Sequence, residues 1–508
     1  KNLKKMSSLS GGAMTEERAE EIAEAMPYDV LRTYVLPAVR CPLTDNLIRK
    51  AVQFYLSADP RLKNSVIQRF GEIENWDVSR VTSMENLFYL DPYSKFTTKT
   101  KKRGNGWMAV LRQPVDEHFD RTLENFQTFN QPLNNWDVSK VTNMSGMFRN
   151  AKSFNQPLNN WNVSKVSNMH MMFASTTSFN QPLNNWNVSK VTDMEGMFHQ
   201  AESFNQPLNN WDVAKVTNIR FMFDCARSFN QPLNNWNVSK VTDMEGMFHG
   251  ARSFNQPLND WNVANVTSMC FMFESATSFN QPLNDWNVSK VTLMTQMFKR
   301  AISFNQPLNK WDVSKVTDMG GMFYGAESFN QSLNDWNGLN VKNMDGMFNG
   351  ARSFNQPLNN WNVSNVTNMF FMFSCARSFN QPLNNWDVSK VDSMSFMFHK
   401  AESFNQPLQN WDVSNVTDMR GMFQDAISFN QPLNDWNVSN VTLMDEMFRH
   451  ALSFNQPLNK WDVPNVRYMQ SMFYAARSFN QPLDNWNLLH RAIFLNQSIK
   501  RDFHESDF

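Results

Sequence analysis

The sequence predicts an α/β repeat solenoid, curved and right-handed, in which each repeat adds a short parallel strand and a short helix behind a helical N-terminal cap. Three observations predict this fold. Tryptophan recurs at one fixed interval, at Trp136, Trp161, Trp186 and so on to Trp486. In "WDVSKV", apolar and polar residues alternate as they do in a strand. In "TNMSGMFRNA", which follows, apolar residues stand at i, i+3, i+4 and i+7, the stripe of a helix.

The fixed period sets the expected organisation of the 508-residue chain. Repetition at such an interval is typical of a solenoid, because each repeat buries its apolar faces against its neighbours. Trp76 heads a degenerate copy, and its distance from Trp136 corresponds to one repeat plus an insertion. The predicted segments are a helical N-terminal cap (1–71), a first degenerate repeat (72–88), a basic insertion loop (89–123), the tandem 25-residue repeats (124–486) and a C-terminal cap (487–508).

The non-repeating start of the chain contains two predicted helices. "TDNLIRKAVQFYLSADP" places apolar residues from Leu47 to Leu56 on one helical face, with Thr44 as the N-cap. "PRLKNSVIQRFG" ends a second helix at Gly71. These helices are expected to cover the first repeat. "MPYDVLRTYVLPAV" resembles the start of an F-box, which would imply a ubiquitin-ligase substrate adaptor.

Within each repeat, the predicted strand lies at "WDVSKV" and the predicted helix begins after Thr142. Thr192 and Glu195 have the spacing of a capping box at such a helix start. The columns that hardly vary form the predicted core: Phe129, Leu133, Trp136, Val138, Val141, Met144, Met147 and Phe148 with their copies. Asn130 and Gln131 also hardly vary, and we interpret them as inward amide ladders that satisfy the loop backbone. A ligand-binding row of amides is the alternative.

Composition excludes several classes of protein. Lys and Arg together number 47, as do Asp and Glu, so bulk charge does not favour nucleic acid or an anionic membrane. No apolar run approaches the length that a membrane-spanning helix needs, and no membrane span is expected. The four cysteines form no CxxC pair, and we expect reduced thiols with no disulfide framework.

The repeat words "FNQPL", "WDVS" and "VTNMSGMF" stand in order through residues 129–486 and, more weakly, 72–88. They resemble the BspA-like repeat family, which is a relative of the leucine-rich repeats. The BspA-like family occurs in Mycoplasma lipoproteins, bacterial surface proteins, large DNA viruses and protists. The resemblance implies a leucine-rich-repeat-like solenoid with a non-enzymatic binding or surface role, and it carries no catalytic residues.

The expected localisation is intracellular or within a virion. The N-terminal residues as given contain no apolar signal-peptide region and no lipid-anchor cysteine. Sequons such as those at Asn162 and Asn187 recur in neighbouring repeats, where glycans would collide, so a eukaryotic secretory route is disfavoured.

Variable columns are expected to carry specificity, because the core columns are fixed by packing. In the first half of the array, glycine alternates with bulky apolar residues in the column of Gly146. The functional interpretation is an exposed row offered to a protein partner, made of Met171, Phe221, Phe271, Phe371 and Phe396. The alternative is that each bulky side chain packs over the glycine of a neighbouring repeat.

Two basic groups are further candidates for partner binding. Lys140, Lys165 and Lys190 form a row that could meet an acidic partner, or a solvated row paired with neighbouring Asp. The insertion "SKFTTKTKKRGNG" contributes Lys99, Lys101, Lys102 and Arg103, and we expect it to protrude as a loop.

No motif predicts catalysis, a cofactor or a metal. His199 and His249 each stand four positions after a Glu. The two histidines lie two repeats apart, and a metal site would need more ligands that are closer together. We therefore expect each histidine to form an exposed pair with its Glu on a helix. The leading hypothesis is therefore a non-enzymatic protein–protein interaction scaffold, a structural component of a larger assembly such as a virion. The alternatives are a surface adhesion protein that binds glycans or host surfaces and the F-box-like adaptor.

Overall fold

The computed structural model describes residues 42–92, 117–483 and 486. The chain divides into two units, Lys1–Pro207 and Leu208–Phe508, and within each unit the repeats stack on their sequence neighbours. Residues 1–41, which contain the F-box-like words, lie outside the described residues, as do most of the predicted insertion loop and the predicted C-terminal cap.

Three α-helices occur in the described residues: α1 (Asp45–Tyr55), α2 (Pro60–Phe70) and α3 (Glu117–Gln127). A 3-10 turn follows α2 at Ile73–Asn75. None of these helices is long and apolar enough to span a bilayer.

Helices α1 and α2 lie where the sequence predicts them. The apolar face of α1 is buried, from Leu47 to Tyr55. Thr44 is at the N-cap of α1, but its hydroxyl makes no capping bond. In α2 the cap is made by Asp59, whose carboxylate accepts from the Arg61 N–H at 2.9 Å, and the helix ends at Gly71 with a φ of 79°.

Helix α1 satisfies backbone groups at the edge of the first repeat. The carboxylate of Asp45 accepts from the N–H groups of Thr82, at 2.7 Å, and Ser83, at 3.1 Å. The Arg49 guanidinium donates to the carbonyl oxygen of Glu85. Polar side chains of α1 thus take the place that a preceding repeat would occupy.

Helix α3 includes residues 117–123, which the sequence analysis assigns to the loop. It packs on the segment that joins α1 and α2: the Thr122 hydroxyl accepts from the Ala58 N–H at 3.1 Å, and the Asn125 amide donates to the Leu56 carbonyl at 3.0 Å.

Trp76 stacks directly on Trp136, with ring centroids 6.4 Å apart. The insertion therefore leaves the stack between two adjacent layers.

The predicted α/β solenoid with parallel strands and helices is wrong. Residues 128–483 contain neither a strand nor a helix. The predicted strand "WDVSKV" is a turn, in which the Val141 N–H donates to the Val138 carbonyl at 2.9 Å. The Ser139 N–H donates to Oδ1 of Asp137 at 3.0 Å, which fixes the turn locally. Strand-like pairing is limited here to isolated parallel bridges such as Asn143 to Asn168.

The predicted helix is a ribbon of consecutive turns whose N–H groups alternate between two kinds of partner. Every second N–H donates to a carbonyl of the following repeat, and the donors are Met144, Gly146, Phe148 and Asn150. Of the N–H groups between them, that of Ser145 donates to Oδ1 of Asn143 at 2.9 Å, and the others donate three positions back within the same repeat, as Met147 does to Met144 at 3.2 Å. An α-helix would satisfy all of these groups internally. The ribbon instead joins each repeat to the next through its backbone.

The predicted capping box is also absent, because no helix begins at this point. The Thr192 hydroxyl donates to the Ser167 carbonyl of the preceding repeat at 3.3 Å. The Glu195 N–H donates to Oδ1 of Asp193 at 3.0 Å. The local cap is thus an Asx turn one position further along, a role that Asn and Asp side chains fill well.

The predicted core columns are confirmed. Phe129, Trp136, Met144 and Phe148 are all at most 3% exposed. Successive tryptophan rings stack, with the centroids of Trp136 and Trp161 6.5 Å apart. The stacked indoles also have polar partners that the sequence analysis missed: Nε1 of Trp161, for example, donates to the carbonyl of Leu133 at 3.0 Å. This bond satisfies a buried N–H and joins adjacent repeats.

The predicted amide ladder is present, although it is half-buried rather than internal. Oδ1 of Asn255 accepts from the Asn280 N–H at 2.9 Å and from Nε2 of Gln281 at 3.1 Å. The same pair of bonds recurs at successive repeats, for example from Asn305 to Oδ1 of Asn280 at 2.9 Å. One amide oxygen per repeat therefore satisfies the loop of the next.

We predict that Asn255→Ala lowers the free energy of unfolding by about 1–3 kcal/mol, because the Asn280 N–H loses its acceptor. Chemical denaturation measures the change. Lys310→Ala is the control: Lys310 pairs with Asp285 at 2.7 Å on an exposed surface, where such pairs contribute about 1 kcal/mol or less. Equal losses in the two variants would contradict a special role for the ladder.

Candidate interaction face

Two columns of the turn ribbon adopt left-handed backbone conformations. They are the columns of Gly146 (φ 60°) and Asn150 (φ 61°). Their copies keep positive φ whatever the residue, as at Phe221 (51°) and Cys225 (55°). Together with the columns of Ser145 and Arg149, they form what we call the turn face.

Three of the five bulky residues in the column of Gly146 pack over the glycine of the following repeat, whereas Phe271 and Phe371 are followed in this column by Gln296 and Phe396. A Cβ on Gly246 would lie 2.2 Å from Cε1 of Phe221, and one on Gly421 would lie 2.3 Å from Cε1 of Phe396. Met171 lies over Gly196 in the same way, because a Cβ on Gly196 would lie 3.1 Å from Cγ of Met171. These side chains are half-buried, so part of each remains available at the surface.

Phe371 and Phe396 differ from the other members of the row because they occupy the same column in two consecutive repeats. Their rings stack with centroids 5.0 Å apart. Phe370 meets Phe371 edge-on at 4.0 Å, and His399 lies against Phe396 at 5.8 Å. We call Phe370, Phe371, Phe396 and His399 the aromatic cluster. It is the largest group of half-exposed aromatic rings on the described turn face.

Charged side chains in the column of Arg149 pair across successive repeats. Nδ1 of His249 lies 2.6 Å from Oδ1 of Asp224, and Nε2 lies 4.0 Å from Oε2 of Glu274. Glu274 in turn accepts from Nζ of Lys299 at 3.0 Å. His249 therefore pairs with residues one repeat away on each side rather than with Glu245, the partner expected on a helix.

The second half of the turn face repeats part of this arrangement. Ser374 and Cys375 occupy the columns of Asp224 and Cys225, and His399 occupies that of His249. The Ser374 hydroxyl lies 3.1 Å from Nδ1 of His399, and Nε2 lies 3.8 Å from Oδ2 of Asp425. Ser374 is only 2% exposed, so this order of hydroxyl, imidazole and carboxylate does not present a nucleophile to a substrate.

The two histidines have opposite pKa shifts. Hydrogen bonds to Asp224 and Cys225 raise the pKa of His249 from 6.5 to about 10. Burial, followed by the charge of Lys400, lowers the pKa of His399. The same backbone position thus favours the charged imidazole at His249, where Asp224 and Cys225 accept from it, and disfavours the charged form at His399, where burial and Lys400 oppose it.

The basic candidates lie elsewhere. Lys140, Lys165 and Lys190 are exposed and stand outside the turn-face columns. The charges of Lys140 and Lys165 contribute to the low pKa of Asp137, behind the larger effect of its hydrogen bonds to Ser139. The insertion residues Lys99, Lys101, Lys102 and Arg103 lie outside the described residues, and their role stays a prediction.

The stacked turns define a tandem-repeat protein whose sequence variation is concentrated on one face. Five stretches, of which the last four overlap in succession, match the family described as "Mycoplasma protein of unknown function, DUF285": residues 62–102, 117–236, 217–336, 303–411 and 397–499. The chain belongs to this family. A comparison with curated proteins finds no match.

We predict that Gly246→Ala destabilises the protein more than Gly350→Ala does. Both glycines have positive φ, which costs an alanine roughly 1–2 kcal/mol. A Cβ on Gly350 would meet its nearest neighbour, the Gly325 Cα, at 3.5 Å, whereas one on Gly246 would enter the Phe221 ring. The excess is expected to be about 1–3 kcal/mol. Denaturation of the two variants and of the pair Gly246→Ala with Phe221→Ala tests this, because removing the ring should abolish the excess.

We also predict that the imidazole of His249 has a pKa of about 10. The measurement is made with a chelator present, so that no metal ion competes with the proton for the imidazole. Its contribution to the free energy of unfolding is then complete below pH 6.5 and is lost as pH rises through about 10. Asp224→Ser, which introduces the residue that faces His399, removes the largest cause of the shift and should return the pKa of His249 towards 6.5. Titration by NMR measures both values. An unchanged pKa in the variant would show that Asp224 is not the cause.

Proposed function

We propose that this protein is a non-enzymatic scaffold that binds other proteins through its turn face, as a structural component of a larger assembly. The observation that supports this most is the separation of roles among columns. Aromatic and aliphatic columns are almost invariant and buried, whereas residue types vary widely along the turn face. The backbone bonds of the ribbon do not depend on those side chains, so the face is free to carry specificity.

The aromatic cluster is the proposed centre of partner binding. Clustered aromatic side chains supply large contact areas at low conformational cost, and they are typical of the residues that dominate protein interfaces. Phe371 and Phe396 have left-handed backbones and pack on neighbouring side chains, so they are already ordered before a partner binds.

A non-enzymatic role is supported by the geometry of the polar groups. Ser374 is buried, and Nε2 of His399 lies beyond hydrogen-bond distance from the Asp425 carboxylate, at 3.8 Å. The charged side chains of the turn face pair with one another across repeats, as Glu274 does with Lys299. Such pairing favours a surface for recognition over a reaction site.

We further propose, from the repeat words, that the chain is related to the BspA-like repeats. We also propose that the protein acts inside a cell or within a virion. Asn162 and Asn187 use their side chains as local caps: each Oδ1 accepts from a serine hydroxyl at 2.7 Å. These bonds give the sequons a structural explanation other than glycosylation. A surface adhesion protein is the second candidate, and the Mycoplasma description of the family favours it.

Cross-linking mass spectrometry on the protein in its native source tests the proposal. Links from turn-face lysines, Lys299 and Lys400, to one stoichiometric partner are the expected result. Links from Lys140, Lys165 and Lys190 would place the partner on the basic row instead. Intramolecular links alone would contradict a stable scaffold.

Once a partner is known, we predict that Phe371→Ala or Phe396→Ala weakens its binding by about 2 kcal/mol or more, as at interface hot spots. Calorimetry or surface plasmon resonance measures the change. Ile302→Ala is the control, because Ile302 is 43% exposed but lies outside the turn-face columns. Thermal unfolding of each variant separates lost binding from lost folding.

A further inference from the structure

Three metal-binding side chains of different chemistry converge on the turn face from two consecutive repeats. Asp224 and Cys225 are adjacent in one repeat, and His249 lies in the next. One donor atom from each, a carboxylate oxygen, the thiol sulfur and an imidazole nitrogen, lies within 4.8 Å of the other two. Oxygen, sulfur and nitrogen donors at such separations can be bridged by one ion.

The histidine is oriented for this role from its other side. Nδ1 faces Asp224 at 2.6 Å, whereas Nε2 faces Oε2 of Glu274 at 4.0 Å. Glu274 is itself held by Nζ of Lys299 at 3.0 Å. Metal-binding histidines commonly direct their second nitrogen to a carboxylate, which fixes the ring and raises its basicity. Glu274 lies on that side of the ring but beyond hydrogen-bond distance, at 4.0 Å, so it would act as that outer carboxylate after a small movement towards Nε2.

The backbone makes room for the sulfur. Gly250 follows His249 at the left-handed column, and a Cβ there would lie 2.8 Å from Sγ of Cys225. Asp224 is buried, and Cys225 and His249 are half-buried. The donors are thus shielded on the inner side and reachable from solvent on the outer side, which leaves an outward coordination position for water.

We propose that Asp224, Cys225 and His249 bind a zinc-class divalent cation between two repeats, with Glu274 as a positioning residue. The ion would replace the proton shared by Nδ1 and Asp224 and the proton of the thiol, so both protons are released. A set of one thiolate, one imidazole and one carboxylate with an open fourth position suits Zn²⁺ better than Mg²⁺ or Ca²⁺, which prefer oxygen ligands. The proposal is independent of partner binding.

The chain contains its own control for this site. Cys375 and His399 occupy the same columns as Cys225 and His249, and "CARSFNQPLNNW" begins at both cysteines. At the second position Ser374 replaces Asp224, and Lys400 replaces Gly250. The second set therefore offers a neutral hydroxyl and a nearby positive charge where the first offers a carboxylate and space.

A further group, His170, Asp193 and Glu195, also brings three donors within 4.8 Å. It lacks sulfur, and its members are all half-buried. Oxygen-rich groups of this kind are common on protein surfaces, and it provides no thiolate signal that could be confused with the proposed site.

Titration of the full-length, reduced protein with Co²⁺, as a spectroscopic substitute for Zn²⁺, tests the proposal. One equivalent should produce a thiolate-to-cobalt charge-transfer absorption, and added Zn²⁺ should abolish it by displacement. Cys225→Ser should remove the band, whereas Cys375→Ser should leave it unchanged. Glu274→Gln should keep the band but weaken cobalt affinity by about 10–100-fold.

The proposal is overturned if no thiolate band forms with the folded protein, or if the band survives Cys225→Ser. A band that depends on Cys375 instead would also overturn it, because the Asp224 carboxylate would then be irrelevant. Circular dichroism of the serine variants confirms that a lost band does not arise from unfolding, and Asp224→Asn provides a second loss variant that leaves both thiols intact.

Discussion

The alternation of backbone N–H partners is the constraint on which the rest of the structure depends. Half of the amides in the turn ribbon close turns within a repeat, and the other half bind the next repeat, as Phe148 does to Met172 at 2.9 Å. Apart from the Asx caps, such as that of Asn143 on the Ser145 N–H, these bonds join backbone groups only and persist when residues change. The alternation also requires left-handed residues at the columns of Gly146 and Asn150, and this requirement creates the turn face.

Much of the stack follows from the sequence alone, since a fixed period with invariant aromatic columns leaves few ways to bury Trp136 and Phe148. The local conformation does not follow, because the spacing of Met144, Met147 and Phe148 suits both an α-helix and a succession of turns. Gly146 and Gly250 were the available signal against a helix, because glycine is unfavourable in a helix interior. The amide ladder was predictable because Asn130 and Gln131 are invariant yet polar, whereas the Trp161 bond to Leu133 depends on a ring orientation that no pattern encodes.

The composition of the candidate site follows from a simple neighbour rule that sequence reasoning did not apply. Residues one repeat apart face each other across adjacent layers, so His249 meets Asp224 and Glu274 rather than Glu245. Side chains on this face can therefore form clusters from residues that are remote in sequence. The two layers give their histidines opposite pKa shifts: hydrogen bonds to Asp224 and Cys225 raise the pKa of His249, whereas burial and the charge of Lys400 lower that of His399.

The direction of the hydrogen bonds has a further consequence for how such a chain changes over time. Within each unit, the described copies of the ribbon present donors to the copy after them and carbonyls to the copy before them, so these junctions use the same backbone groups. Residues 178–199 and 228–249 are identical in sequence, "SFNQPLNNWNVSKVTDMEGMFH". Because neighbouring repeats are joined through the same backbone groups, insertion or removal of one whole repeat within a unit would leave the bonding pattern of the remaining junctions intact. Each added repeat would also add one more set of turn-face positions.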